Sequence, residues 1–189
     1  MSIASVEIID HPTLSAESAM SATEEPAFSF LPLGAILQKF ELNGLNIVQG
    51  FNTVEEYKKY NAPYFGETIG RVANRISGAK IDRLNGRSYS LAANDGENSL
   101  HGGVSGWGKH VFDGPTSVER SNRPSIQFKY LSPDGDEGFP GTVETRVFYT
   151  ASTTEQDGRQ VASLEIEYEA ELVGDDDVEE TVVAMTNHR

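Results

Sequence analysis

The chain has 189 residues, with 15 Lys and Arg against 29 Asp and Glu, a formal charge of −14. That length suits one domain with a sizeable core, and so acidic a chain is poorly matched to phosphate backbones or anionic lipid, so neither a nucleic acid nor a membrane is an expected partner. Cysteine is absent, which excludes disulfide scaffolds, thiolate zinc sites and cysteine nucleophiles together.

Residues 1–30 hold five acids and no base, are rich in Ser, Ala, Glu and Thr, and lack periodicity. They are read as a loose leader, with Ile3 to Ile9 as a short edge strand, and residues 31–189 as the folded portion. The leader has no basic start followed by an apolar run, so it does not resemble a secretory signal. No stretch of about 18 apolar residues and no Asn-x-Ser/Thr sequon occurs, and a cytoplasmic location is expected.

From Ala35 the pattern is that of strands. Phe40 to Val48 places Asn43-Gly44 between two alternating arms, and Ile81 to Tyr89 repeats the device at Asn85-Gly86. Asn-Gly supplies the positive φ angles of a two-residue hairpin turn. Between them, Thr53 with Glu56 three residues on forms a capping box, which predicts a short helix ended before Pro63. Ser125 to Leu131, Thr142 to Thr150 and Gln160 to Leu172 are the later strands. In the last, Leu164, Ile166, Tyr168, Ala170 and Leu172 alternate with Glu165, Glu167, Glu169 and Glu171. Period two puts the apolar set on one face and the glutamates on the other. Residues 134–189 carry a net charge of −12, and this alternation reads them as a solvated sheet face rather than a cation site. Gly174 to Glu180 is an acidic turn, and Thr181 to Thr186 a final apolar strand. The expected architecture is all-β and antiparallel with one short helix.

Four histidines could carry chemistry. His11 lies in the leader. His101 precedes two glycines, which let backbone or ligand approach closely; a ligand contact and a plain turn both fit. His110 follows Lys109 and is read as a surface residue. His188 shares a strand face with Thr186 and Ala184 and is placed to point into a cleft. Arg71 and Arg75 lie four apart, so on a strand they share a face and could meet a sugar or an acid, or else are surface cations. Tyr64, Phe65 and Trp107 offer either a stacking face for a sugar or core packing. The histidine spacings match no metal-ligand pattern, and no Gly-x-Ser-x-Gly elbow occurs.

Several segments together resemble the aldose 1-epimerases, the galactose mutarotases. They are Phe65-Gly66-Glu67-Thr68-Ile69-Gly70-Arg71-Val72-Ala73-Asn74-Arg75-Ile76, then Asn98-Ser99-Leu100-His101-Gly102-Gly103, then the Asp134-Gly135-Asp136-Glu137-Gly138-Phe139-Pro140-Gly141 loop, then Thr186-Asn187-His188. The motifs stand in family order over roughly residues 32–188. The resemblance implies an antiparallel β-supersandwich and the interconversion of α and β anomers of free hexoses such as galactose and glucose. In that reaction a carboxylate takes the C1 hydroxyl proton and a histidine protonates the ring oxygen, with no metal and no cofactor. His188 matches the catalytic acid, His101 a catalytic and sugar-binding position, and Asn74 and Arg75 the remaining substrate-binding positions. In the family the chain continues past Thr-Asn-His with a Tyr, an aromatic, Asn and Leu, and the glutamate base follows later. The sequence is therefore read as the N-terminal portion of such a domain, without its base. A non-catalytic carbohydrate-binding module or inactive fragment is the alternative, and a relative acting on phosphorylated sugars a third reading.

Overall fold

The computed structural model describes residues 6–8, 27–174 and 177–188. The first sheet has four strands in the order β1 (Val6–Ile8), β2 (Ala27–Leu31), β3 (Ile36–Leu42) and β4 (Leu45–Asn46). β1 runs parallel to β2; the other pairings are antiparallel. β2 corrects the leader boundary. Phe28 and Phe30 fall within residues 1–30 but are buried in the core. Composition misses this because a five-residue strand surrounded by Ser, Glu and Pro has no period of its own; its alternation shows only once β3 pairs with it. Ile3 and His11 lie outside the described residues.

The β3–β4 turn is Asn43-Gly44, both with positive φ (52° and 74°), as the Asn-Gly pair requires. Helix α1 (Val54–Tyr60) begins at Thr53, whose side chain accepts from the Glu56 amide while the Glu56 side chain accepts from the Thr53 amide. Its Tyr57 packs into a small cluster with Leu31, Leu33 and Ile36.

Short strand pairs follow: β5 (Thr68–Ile69), β6 (Arg75–Ile76), the hairpin β7 (Lys80–Leu84) and β8 (Arg87–Ser90), and β9 (Ser99–Leu100). The hairpin turns at Asn85-Gly86, as expected. The second large sheet is an antiparallel meander of β10 (Asp113–Arg120), β11 (Arg123–Ser132), β12 (Val143–Gln156) and β13 (Arg159–Leu172). Aromatic side chains close the two sheets against each other. Phe30 lies 4.5 Å from Tyr149 and 6.3 Å from Phe128, ring centre to ring centre. The Tyr149 hydroxyl donates to the Ala35 carbonyl at 2.7 Å, so its one polar atom is satisfied inside the core.

The β13 alternation holds. Leu164, Ile166 and Tyr168 pack against the core. On the other face Glu165 pairs with Arg123, Glu167 and Glu169 with Arg120, and Arg146 reaches Glu144, Glu169 and Glu171. The acidic strand is thus opposed by arginines from the other three strands of its sheet, Arg120 of β10, Arg123 of β11 and Arg146 of β12. Each such surface pair contributes only about 0–1 kcal/mol; together they offset like-charge repulsion along one strand. The final strand is shorter than its apolar run suggests. Residues 181–183 are irregular, Ala184 forms a single bridge to Val72, and only β14 (Thr186–Asn187) is a strand, paired with β5. A run of alternating side chains becomes a strand only where a neighbouring backbone offers partners.

Candidate active site

Two strand pairs deliver the histidines. β6 pairs with β9 with Arg75 opposite Leu100. Asn74 and His101 therefore stand just beyond the same end of that ladder. They continue it by one irregular step: the His101 amide donates to the Asn74 carbonyl (2.9 Å), and the Asn74 amide donates to His101 Nδ1 (3.1 Å). β14 pairs with β5, and His188 follows it directly. The His188 amide donates to the Glu67 carbonyl (2.9 Å) and its carbonyl accepts from the Gly66 amide (2.7 Å). The Asn187 side chain also donates to Gly66 O (2.7 Å). These ladders bring the two imidazoles to 5.0 Å, at 81°. Tyr64 completes a cluster of three rings, 4.9 Å from His101 and 5.7 Å from His188.

The backbone here is unusual. Tyr64 (φ 62°), Asn74 (61°) and His101 (51°) all occupy the left-handed region. Asn and His reach it more readily than most residues; a bulky aromatic such as Tyr64 does so at a cost of about 1–3 kcal/mol, and such residues concentrate at functional sites. Gly102 is the necessary companion. A Cβ there would lie 1.8 Å from the Gly70 carbonyl oxygen, so Gly102 permits close backbone approach, while Gly103 leaves room for the Glu137 carboxylate.

Because its Nδ1 accepts from a backbone amide, His101 carries its proton on Nε2. Burial lowers its pKa below the ordinary histidine value, and the adjacent His188 and Arg75 push the same way. His101 is thus a neutral imidazole with one donor. His188 Nδ1 is buried with no hydrogen-bond partner among the described residues, so no neighbour fixes its tautomer. Arg75 is exposed; its Nε donates to Asp95 (2.6 Å) and its Nη1 to the Asn74 side chain (3.1 Å). Asn74, Arg75, His101 and His188 are thus brought together at one place.

Arg71 is not part of this surface. It is 1 % exposed, and burial lowers its pKa despite the attraction of Asp136 and Asp134. Its guanidinium donates to Ser132 Oγ and O and to the carbonyls of Pro133 and Pro140. The shared face expected for Arg71 and Arg75 fails because the segment is not one straight strand. β5 runs antiparallel to Thr186–Asn187, whereas Val72 bridges Ala184 in parallel. Arg71 instead anchors the Asp134–Gly141 loop, and Glu137 of that loop accepts from the amides of Val104 and Ser105 (2.9 and 2.8 Å). The loop braces the chain that carries His101.

Trp107 is 1 % exposed and belongs to the core, not to a stacking face. Phe65 is half-buried and lines an apolar groove of about 250 Å³ with Leu37, Phe40, Ile47 and Val48, which the two histidines do not border. His110 stacks on Tyr130 (5.0 Å, 24°), with Nε2 2.9 Å from Ser105 O, and is partly buried rather than a free surface residue. Among the described residues no group of three or more His, Asp or Glu could hold a metal ion, and no helix is long and apolar enough to cross a membrane. Sequence reasoning passed over Asp95 and the pairing of Glu67 with Lys109. No local pattern marks them, since their partners arrive from distant segments.

The aldose 1-epimerase family profile matches residues 19–189. This chain belongs to that family. It is 40% identical over 158 residues to the bifunctional protein GAL10 of Pachysolen tannophilus, covering 82% of this chain and 22% of that protein. It is also 40% identical over 143 residues to the galactose mutarotase of Bos taurus, covering 76% of this chain and 36% of that one. Among solved structures, the GalM/aldose epimerase homologue of C. elegans superposes with a TM-score of 0.64 at 31% identity, over 84% of this chain and 45% of its own. The chain therefore spans about a fifth of the bifunctional protein and about a third of the mutarotase. The expected supersandwich is in keeping with these galactose mutarotase-like neighbours.

Proposed function

We propose that this aldose 1-epimerase family member acts on free hexoses such as galactose and glucose, interconverting their α and β anomers. The carrying observation is the convergence of two imidazoles, 5.0 Å apart, beside Asn74 and Arg75. His188 serves as the acid. Its proton goes to the ring oxygen as the C1–O5 bond breaks and a carboxylate takes the proton of the C1 hydroxyl. The open chain rotates about C1–C2 and recloses on the other face, with both protons returned. His101, neutral and donating from Nε2, holds an oxygen of the ring region; Asn74 and Arg75 hold hydroxyls. General acid–base pairing of this kind contributes typically about 10²–10⁴-fold per group.

A sugar-binding role without turnover is the second reading, and one observation favours it. Around the histidines, Asp95 is tied to Arg75, and Glu67 to Lys109 and Asn61. Polarimetry of fresh α-D-galactose and α-D-glucose, with binding followed in parallel, separates the two. Accelerated mutarotation that falls at least about 100-fold in His188→Asn supports the enzyme. Binding without acceleration supports the module. Neither binding nor acceleration by the folded protein refutes both.

A further inference from the structure

Glu67 is a costly residue for the fold alone. It is 2 % exposed and one of its oxygens, Oε2, has no hydrogen-bond partner among the described residues. Burial raises its pKa, although Lys109 and Asn61 pull it down. Replacing a buried ion pair with apolar side chains of similar volume is often neutral or stabilising, so stability by itself does not explain a carboxylate here. Its surroundings are nevertheless shaped for it. Oε1 accepts from Lys109 Nζ (2.6 Å) and from Asn61 Nδ2 (2.7 Å). A Cβ at position 108 would lie 2.1 Å from Oε2, so glycine leaves the carboxylate room.

The pair leads to the histidines by two short routes. Through its backbone, Glu67 accepts from the His188 amide. Through its side chain it holds Lys109, whose Nζ sits 4.5 Å from the centre of the Tyr64 ring and also donates to Asn61 O (3.0 Å). The Asn61 side chain brackets the residue after Tyr64, accepting from the Phe65 amide and donating to its carbonyl. Tyr64 is thus gripped on one side by a cation and in its backbone by Asn61, while its ring lies against both imidazoles. This grip holds an aromatic residue in a left-handed conformation that it does not adopt unaided.

We propose that Glu67 and Lys109 are positioning residues for the histidine pair, acting through Tyr64. The proposal rests on the sugar-site reading for its consequence and on the ring geometry for its substance. The decisive variant is Glu67→Leu with Lys109→Met, which removes both charges together. Its imidazole NMR signals are compared with those of the unaltered protein and of Tyr64→Leu, which reports the ring-current contribution of Tyr64. Positioning predicts that the His101 and His188 signals move toward their Tyr64→Leu positions and that the galactose dissociation constant rises about tenfold, while the thermal midpoint is unchanged or higher. A structural role predicts a lower midpoint with signals and affinity intact in the folded protein, and that result overturns the proposal. Lys109→Arg keeps a cation over the ring and should leave the signals in place; displacement as large as in Lys109→Met also overturns it. If the double variant does not fold, the near-isosteric Glu67→Gln carries the test, and unmoved imidazole signals there count against the pair. An unaltered protein that neither binds galactose nor turns it over sinks the sugar reading, and the imidazole signals then judge the positioning by themselves.

Discussion

Gly102→Ala tests how tightly the His101 segment is built. The new Cβ would lie 1.8 Å from the Gly70 carbonyl oxygen, 2.4 Å from its carbon and 2.7 Å from the Arg71 amide nitrogen. All three are backbone atoms, so relief requires the His101 segment or the β5 segment to move by at least about 1 Å. Position 102 also has φ 83°, which costs alanine about 1 kcal/mol. Overpacking adds roughly 1–3 kcal/mol, for a total near 2–4 kcal/mol. Gly78→Ala isolates the clash. Its φ is 66°, and nothing lies within 4 Å of its Cβ position, so it bears the conformational cost of about 1 kcal/mol and no more. Urea unfolding of both variants measures the difference, and galactose titration measures the displacement of His101. A shift of about 1 Å in a positioned group costs on the order of 100-fold in activity. If the two variants are destabilised within about 0.5 kcal/mol of each other and Gly102→Ala binds sugar normally, the tight approach of the two segments is refuted.

Two further predictions concern charge. His101 has a depressed pKa when folded, so the unfolded chain binds its proton more readily. Its contribution to stability is therefore present above the unfolded histidine value of about 6.5 and is lost as pH falls below it; His101→Gln should flatten this acid limb, and an unchanged limb in thermal melts across pH 5–8 contradicts the assignment. Arg71→Met removes a buried guanidinium and takes its donors from Ser132 O and Oγ, while Pro133 O keeps the Asp136 amide and Pro140 O keeps Thr181 Oγ1. It should lower stability by about 1–3 kcal/mol, and a loss under about 0.5 kcal/mol by urea unfolding would show that the loop does not depend on this anchor.

Local signals in the sequence carried well wherever their physics was local. Asn43-Gly44 and Asn85-Gly86 turned as hairpins because Asn and Gly reach positive φ cheaply. Thr53 and Glu56 capped the helix because each satisfies a backbone donor within the same turn. The β13 glutamates faced outward because period two leaves no other choice to a strand with one buried side. The misses were of another kind. β10 starts with Asp113, Gly114 and Pro115, poor strand formers, and is a strand because β11 pairs with it across a bulge. β2 is too short to carry a period of its own, and residues 181–183 have the apolar run of a strand without a neighbour to complete it.

The candidate site divides in the same way. Motif likeness alone picked out Asn74, Arg75, His101 and His188, and the four do stand together. Nothing in the spacing of Arg71 and Arg75 revealed that one would be buried under Ser132 and Pro140 and the other exposed beside Asp95. Nor did it reveal that Glu67 and Lys109 would meet beneath Tyr64. Turn type, helix caps and the sidedness of a strand follow from the φ, ψ and hydrogen-bond needs of a few consecutive residues, and the sequence by itself determined them. Which strand ends lie side by side depends on how two sheets bury their aromatic faces against each other. That is a cooperative choice among distant segments, so only the tertiary structure decided which rings and charges share one site.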